Sequence, residues 1–176
     1  MRRFATTFAA LALLATWAGA QSSNPAPLAG DQLKLFQSNR DLLENLIEHG
    51  IELANADTPV ARVKACRESA KDLGRALRDA AGNDDADRVA ELGDYLTAVI
   101  HHGLVPTIDD ARRTIPAGTP AEQELVEQTL RATEEAKGFE LSIPALGKLG
   151  ASAKVNDVRA KLRAAGETLV ERNRSR

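Results

Sequence analysis

Apolar side chains recur at steps of three and four through this chain, and no stretch shows the strict alternation of a strand. Spacing of that kind puts apolar groups on one face of a helix and constrains the fold to packed helices. Leu35, Phe36, Leu42, Leu43, Leu46, Ile47, Ile51, Leu53 and Ala54 make a wide stripe on a first predicted helix, capped by Asp31 and stopped at Asp57-Thr58-Pro59. Thr58 caps a second helix with Pro59 in its first turn, where a missing N–H is harmless. Its seam is Val63, Cys66, Ala70, Leu73, Leu77 and Ala80, small enough in places for a close neighbour. Gly82-Asn83-Asp84-Asp85 breaks the pattern, and a third helix follows with Val89, Leu92, Leu96, Val99, Ile100 and Leu104 on one face. Pro106 is expected to end it, because the residue before a proline is pushed out of helical geometry. Thr107 to Ile115 adds two short turns facing inward through Ile108, Ala111 and Ile115.

Pro116-Ala117-Gly118 is a break, and Thr119-Pro120-Ala121-Glu122 carries the spacing of a capping box. Leu125, Val126, Leu130, Thr133 and Ala136 are the expected inner face of the helix behind it, which Gly138 weakens. Ser142 to Gly150 reads as irregular, and a final helix from about Ser152 to Arg172 places Val155, Val158, Leu162, Ala165 and Leu169 at heptad steps. The expected fold is all-α: an antiparallel up-and-down helical bundle of four main helices plus a short connecting helix. The short connections after the first and second helices imply antiparallel neighbours.

The first 20 residues read differently. Arg2 and Arg3, the apolar run Phe4 to Trp17, and Ala18-Gly19-Ala20 have the three parts of a secretory leader, with cleavage expected before Gln21. The run is short for a membrane span, and no cysteine follows the small residues to take a lipid; a leader retained as an anchor is the alternative. Residues 21–30 are a polar, Pro/Gly-containing lead-in, and residues 31–176 are read as one domain. Export would place the chain in the periplasm or outside the cell. Loss of Arg2 and Arg3 takes the formal net charge from −2 to −4, which gives no electrostatic drive toward nucleic acid or anionic lipid. After cleavage only Phe36, Tyr95 and Phe139 remain as aromatics, and Cys66 is the only cysteine, so no internal disulfide is available.

Candidate chemistry is sparse. His49, His101 and His102 are the metal-ligand candidates, with a nearby carboxylate such as Glu52. His101 and His102 are neighbours about 100° apart on a helix, so one ion cannot take both. The run Asn83-Asp84-Asp85-Ala86-Asp87 lacks the closing glycine and glutamate of a calcium loop and fits a helix N-terminus. Cys66 lies on an apolar seam, the setting of a buried thiol, while Lys64, Arg67 and Lys71 are expected to point away from that seam. There is no Gly-x-Ser-x-Gly elbow, Ser-x-x-Lys pair, His-Glu-x-x-His or haem-attachment motif, so neither an enzyme nor a cofactor is expected. Ile143, Leu146 and Leu149, at three-residue steps in the irregular segment, either form an apolar partner surface or cover one end of the bundle.

The segment from Gly50 to Pro106 pairs Glu52-Leu53-Ala54 with Asp57-Thr58-Pro59, then Lys64-Ala65-Cys66 and Asp87-Arg88-Val89-Ala90-Glu91-Leu92-Gly93, with Ile115-Pro116-Ala117-Gly118-Thr119-Pro120 behind it. In this it resembles a group of exported, all-helical bacterial proteins with no assigned function. The resemblance implies export and an all-helical fold and carries over no catalytic residue. Periplasmic stress sensors and helical chaperones share the size, but the repeated Leu-Thr-x-x-Gln signature is missing. The expected role is a non-enzymatic helical interaction or structural protein of the cell envelope, with a protein partner or self-association; a metal-responsive bundle is the alternative.

Overall fold

A computed structural model describes residues 30–174, and among them every regular element is helical, with no strand. The leader and most of the lead-in lie outside the described residues, as do the side chains of Leu35 and Phe36. The elements are α1 (Gly30–Ala54), α2 (Pro59–Gly82), α3 (Ala86–Ala98), a π turn (Val99–Leu104), α4 (Val105–Thr114), α5 (Pro120–Ser142), the single turn α6 (Gly147–Gly150) and α7 (Ala153–Arg174). The chain divides after Ser38 into two compact units. Of the first, only the opening turns of α1 are described, so Asp31 falls inside that helix and does not cap it. The second unit runs from Asn39 on and holds the buried core.

The helix starts follow from local chemistry. The Thr58 hydroxyl accepts the Ala61 N–H at 3.1 Å, with Pro59 at the head of α2. The Asp85 carboxylate accepts the Arg88 N–H at 3.0 Å and opens α3, after a turn in which Asp84 takes a left-handed φ of 54°. Thr119 accepts the Glu122 N–H at 3.3 Å while Glu122 accepts the Gly118 N–H at 2.6 Å. That is the capping box, with its return bond shifted one residue outward. One expectation fails at Pro106. The helix does not end there, because the π turn stands immediately before it. The Val105 N–H bonds the Ile100 carbonyl, five residues back. The widened turn takes the carbonyl that would strike the proline ring out of register, and α4 continues the axis.

The core is aliphatic. Val63, Leu77, Val89, Leu96, Ile108, Val155, Leu162 and Leu169 are fully buried. The seams expected on the second, third and final helices are the buried ones, apart from Val99, which is only partly buried against the core. Cys66 meets Thr107 at 3.8 Å across a hairpin whose turn is at Asn83–Asp85, so α2 runs antiparallel to the α3–α4 segment. Arg159 of α7 donates to the Pro144 carbonyl just past the end of α5, and Arg163, one turn further along α7, holds Glu140, one turn back along the chain, at 2.7 Å, so these helices too are antiparallel. Lys154 with Asp87, Lys161 with Asp94 and Arg172 with Asp109 advance together along α7 and α3–α4, which therefore run in the same sense. Gly74 lies against the Phe139 ring and Arg67 faces Glu135, so α2 and α5 also run in the same sense.

The packing corrects two further expectations. On α5 the buried residues are Leu125, Gln128, Thr129, Ala132, Ala136 and Phe139, and Leu130 is 44% exposed. The helix passes through Gly138 to Ser142 without a break. Arg67, expected to point away, is buried between α2 and α5. It pairs with Glu68 and stands 4.0 Å from Glu135. Its Nε, the Glu135 Oε2 and the Gln128 Oε1 are buried with no hydrogen-bond partner. Burial raises the Glu135 carboxyl above its ordinary value despite the pull of Arg67.

Candidate functional site

The predicted site residues fall in four places. His49, on α1, donates or accepts at both ring nitrogens: Nδ1 is 3.1 Å from Glu52 Oε2 and Nε2 is 3.1 Å from Asp72 Oδ2 on α2. The second oxygen of Asp72 is held by Arg75 at 3.0 Å. His101 and His102 sit in the π turn, the first half-buried and the second exposed. No group of three or more His, Cys, Asp or Glu among the described residues is arranged to hold a metal ion. Cys66 is buried beneath that turn, with Gly103 beside it. Burial raises its thiol pKa, and the contact from Thr107 pulls the other way without reversing it. A thiol in that state is a poor nucleophile.

The trio Ile143, Leu146 and Leu149 is divided. Ile143 and Leu149 are 3% and 1% exposed and belong to the buried core, while Leu146 is 85% exposed. As one continuous partner surface the trio does not exist, because two of its members are core. Only Leu146, with the exposed Leu141 nearby in sequence, faces outward.

The His49 bridge gives a pH dependence with a definite sign. Burial, the largest influence, disfavours the imidazolium, but the bonds and charges of Glu52 and Asp72 together outweigh it, and the His49 pKa is raised. Protonated His49 can donate to both carboxylates, and the neutral ring to only one. The stabilisation is therefore complete below the unfolded-state pKa of about 6.5 and is lost as pH rises through the higher folded-state value. Urea melts of the wild type and of His49→Gln from pH 5.5 to 8.5 are expected to differ most at the acid end and converge toward the alkaline end. A constant gap across that range contradicts the bridge.

A broader feature, which the sequence pattern concealed, is the outer face of α1. The wide stripe is only half used. Leu42 and Leu46 pack against the core, and Asn39 bonds Arg88 of α3. Leu43, Ile47 and Ile51, at one-turn spacing, are 59%, 62% and 57% exposed. Single exposed aliphatics are ordinary, but three in line on one helix form a continuous apolar strip of the kind that marks an interaction surface. A groove of about 220 Å³ between α5 and α7, lined by Leu162, Val170, Lys137, Glu140, Arg163 and Glu167, is the other concavity of note. Arg163 spends both guanidinium contacts on Glu140, at 2.9 and 2.7 Å, so this rim presents no charge of one sign to a ligand.

No described helix is long and apolar enough to cross a membrane. Compared with protein-family models, curated proteins and solved structures, the chain matches none.

Proposed function

We propose that this chain is an exported, non-enzymatic interaction protein of the cell envelope, in which α2, α3–α4, α5 and α7 close an up-and-down bundle and the part of α1 from Asn39 on offers its outer face to a partner. The observation that carries the reading is the exposed line Leu43, Ile47 and Ile51. A chain that can bury an aliphatic core elsewhere gains nothing in stability from leaving this line in water. The leader pattern at residues 1–20 supports export. A metal-responsive role has no ligand set to support it among the described residues.

Two measurements test the reading. Expressed in a bacterium with a secretion pathway, the protein is expected in the periplasmic or culture fraction with the intact mass of Gln21–Arg176. A full-length cytoplasmic product removes the export element. In the second, wild type and Ile47→Asp are used as bait in envelope extract. Loss of a retained partner in the variant, at unchanged melting temperature, is the expected result; equal retention by both removes α1 from the account.

A further inference from the structure

We propose that the partner seated on α1 is a basic amphipathic helix: an apolar stripe at one-turn spacing with a row of Lys or Arg beside it. This rests on α1 being the interaction face and adds the chemistry of what it takes.

The exposed line does not stand alone. Each of its residues is followed by an acid: Leu43 by Glu44, Ile47 by Glu48, Ile51 by Glu52. Asp41 lies a further turn toward the N-terminus, and all four carboxylates belong to exposed residues. At 100° per residue the acids form a second row, parallel to the apolar one and displaced about a quarter turn around the helix. The inward face, carrying Leu42, Leu46 and His49, lies on the opposite side of the apolar row. The outer surface of α1 is thus an apolar strip with an anionic edge. A helix docked on the strip brings its own flank against that edge, where basic side chains are attracted and acidic ones repelled.

The same pattern argues against a second copy of this chain as the occupant. An antiparallel copy places the two acidic rows on the same side of the seam, like charge against like charge. A parallel copy places Arg40, which shares the apolar face, against its own counterpart. Some of the anionic edge is already engaged within α1, since Arg40 holds Glu44 at 2.7 Å and His49 holds Glu52 at 3.1 Å. Glu48, beside the most exposed residue of the line, is the acid best placed to meet a partner cation.

The test titrates the full chain with three labelled synthetic peptides of about 18 residues, roughly 27 Å as helices. The first carries leucines at helical spacing with lysines on the polar face. The second replaces the lysines by glutamates, and the third scrambles the lysine peptide so that its apolar stripe is lost. Anisotropy is expected to show the lysine peptide binding at least about tenfold tighter than either of the others, with affinity falling as salt is raised. Ile47→Asp is expected to abolish that binding. Glu44→Gln with Glu48→Gln is expected to weaken it several-fold and to flatten its salt dependence, with the circular-dichroism spectrum unchanged. Equal binding of the lysine and glutamate peptides, or of the lysine and scrambled peptides, overturns the proposed partner chemistry. Self-association of the wild type that Ile47→Asp removes, without selective peptide binding, also overturns it but keeps α1 as the interaction face. Binding that survives Ile47→Asp unchanged overturns both.

Discussion

Gly74→Ala is expected to destabilise the fold by about 2 kcal/mol, although alanine is the better helix former by about 1 kcal/mol. The reason is the approach of α2 to α5. A Cβ built at Gly74 stands 2.2 Å from Cε1 and 2.3 Å from Cζ of Phe139, a ring that is 4% exposed and has Arg78 over it at 5.6 Å. Neither the ring nor the helix can give way without disturbing the seam around it. On a domain of this size the loss is expected to lower the melting temperature by about 6 °C. Gly166→Ala is the control, because nothing lies within 4 Å of a Cβ there and the position is inside α7. It is expected to be neutral or to stabilise by up to about 1 kcal/mol. If both substitutions stabilise alike in urea melts, α2 and α5 are not in contact at Gly74. Combining Gly74→Ala with Phe139→Leu is expected to cost less than the two single changes together, since the smaller side chain removes the collision.

The second large effect separates the core from the outer face of α1. Leu77→Ala empties a site that is 0% exposed and is expected to cost about 3 kcal/mol, combining lost transfer energy with a cavity that its neighbours fill only in part. Ile47→Ala removes a similar side chain from a site that is 62% exposed and is expected to change stability by less than about 0.5 kcal/mol. The contrast matters because the two residues look alike in the sequence: both belong to apolar stripes at helical spacing. Comparable losses at the two positions in equilibrium unfolding would mean that α1 is packed on both sides and has no free face.

That likeness marks where sequence reasoning stops. Caps are legible because they depend on neighbours in the chain, so Thr58-Pro59 and Thr119-Pro120 announced the starts of α2 and α5. The seam of α7 is legible because its heptad steps leave only one apolar face. On α5 the apolar residues are spread around the helix, and the buried stripe includes Gln128 and Thr129 while Leu130 faces water. Which side turns inward is decided by Phe139 reaching Gly74, a contact between residues far apart in the chain. Pro106 misled for a related reason, since the π turn that accommodates it carries no residue pattern of its own. Arg67 is hidden by the same logic: a guanidinium in a helical sequence reads as solvated, and only the placement of Glu135 on α5 shows it to be enclosed.

For the site, the sequence offered the apolar width of α1 and the His49–Glu52 pair. It could not show that Asp72 completes the bridge from α2, or that half of the stripe stays in water. Both depend on how α1 meets its neighbours. The histidines and the Ile143–Leu149 segment are conspicuous because rare residue types and broken helices stand out in a sequence. The outer face of α1 did not, because an amphipathic helix with a wide stripe reads first as a helix with a large core face.

Leu43, Ile47 and Ile51 stand in water while the buried stripes of α2, α3, α4, α5 and α7 are enclosed, and thiol labelling measures this contrast directly. In a Cys66→Ala background, Ile47→Cys is expected to react with a maleimide probe at nearly the rate of an unstructured thiol. Cys66 in the native sequence, 5% exposed, is expected to react only as the protein unfolds. Protection of the Ile47→Cys thiol to the level of Cys66 would contradict the account, because α1 would then have no open face to offer.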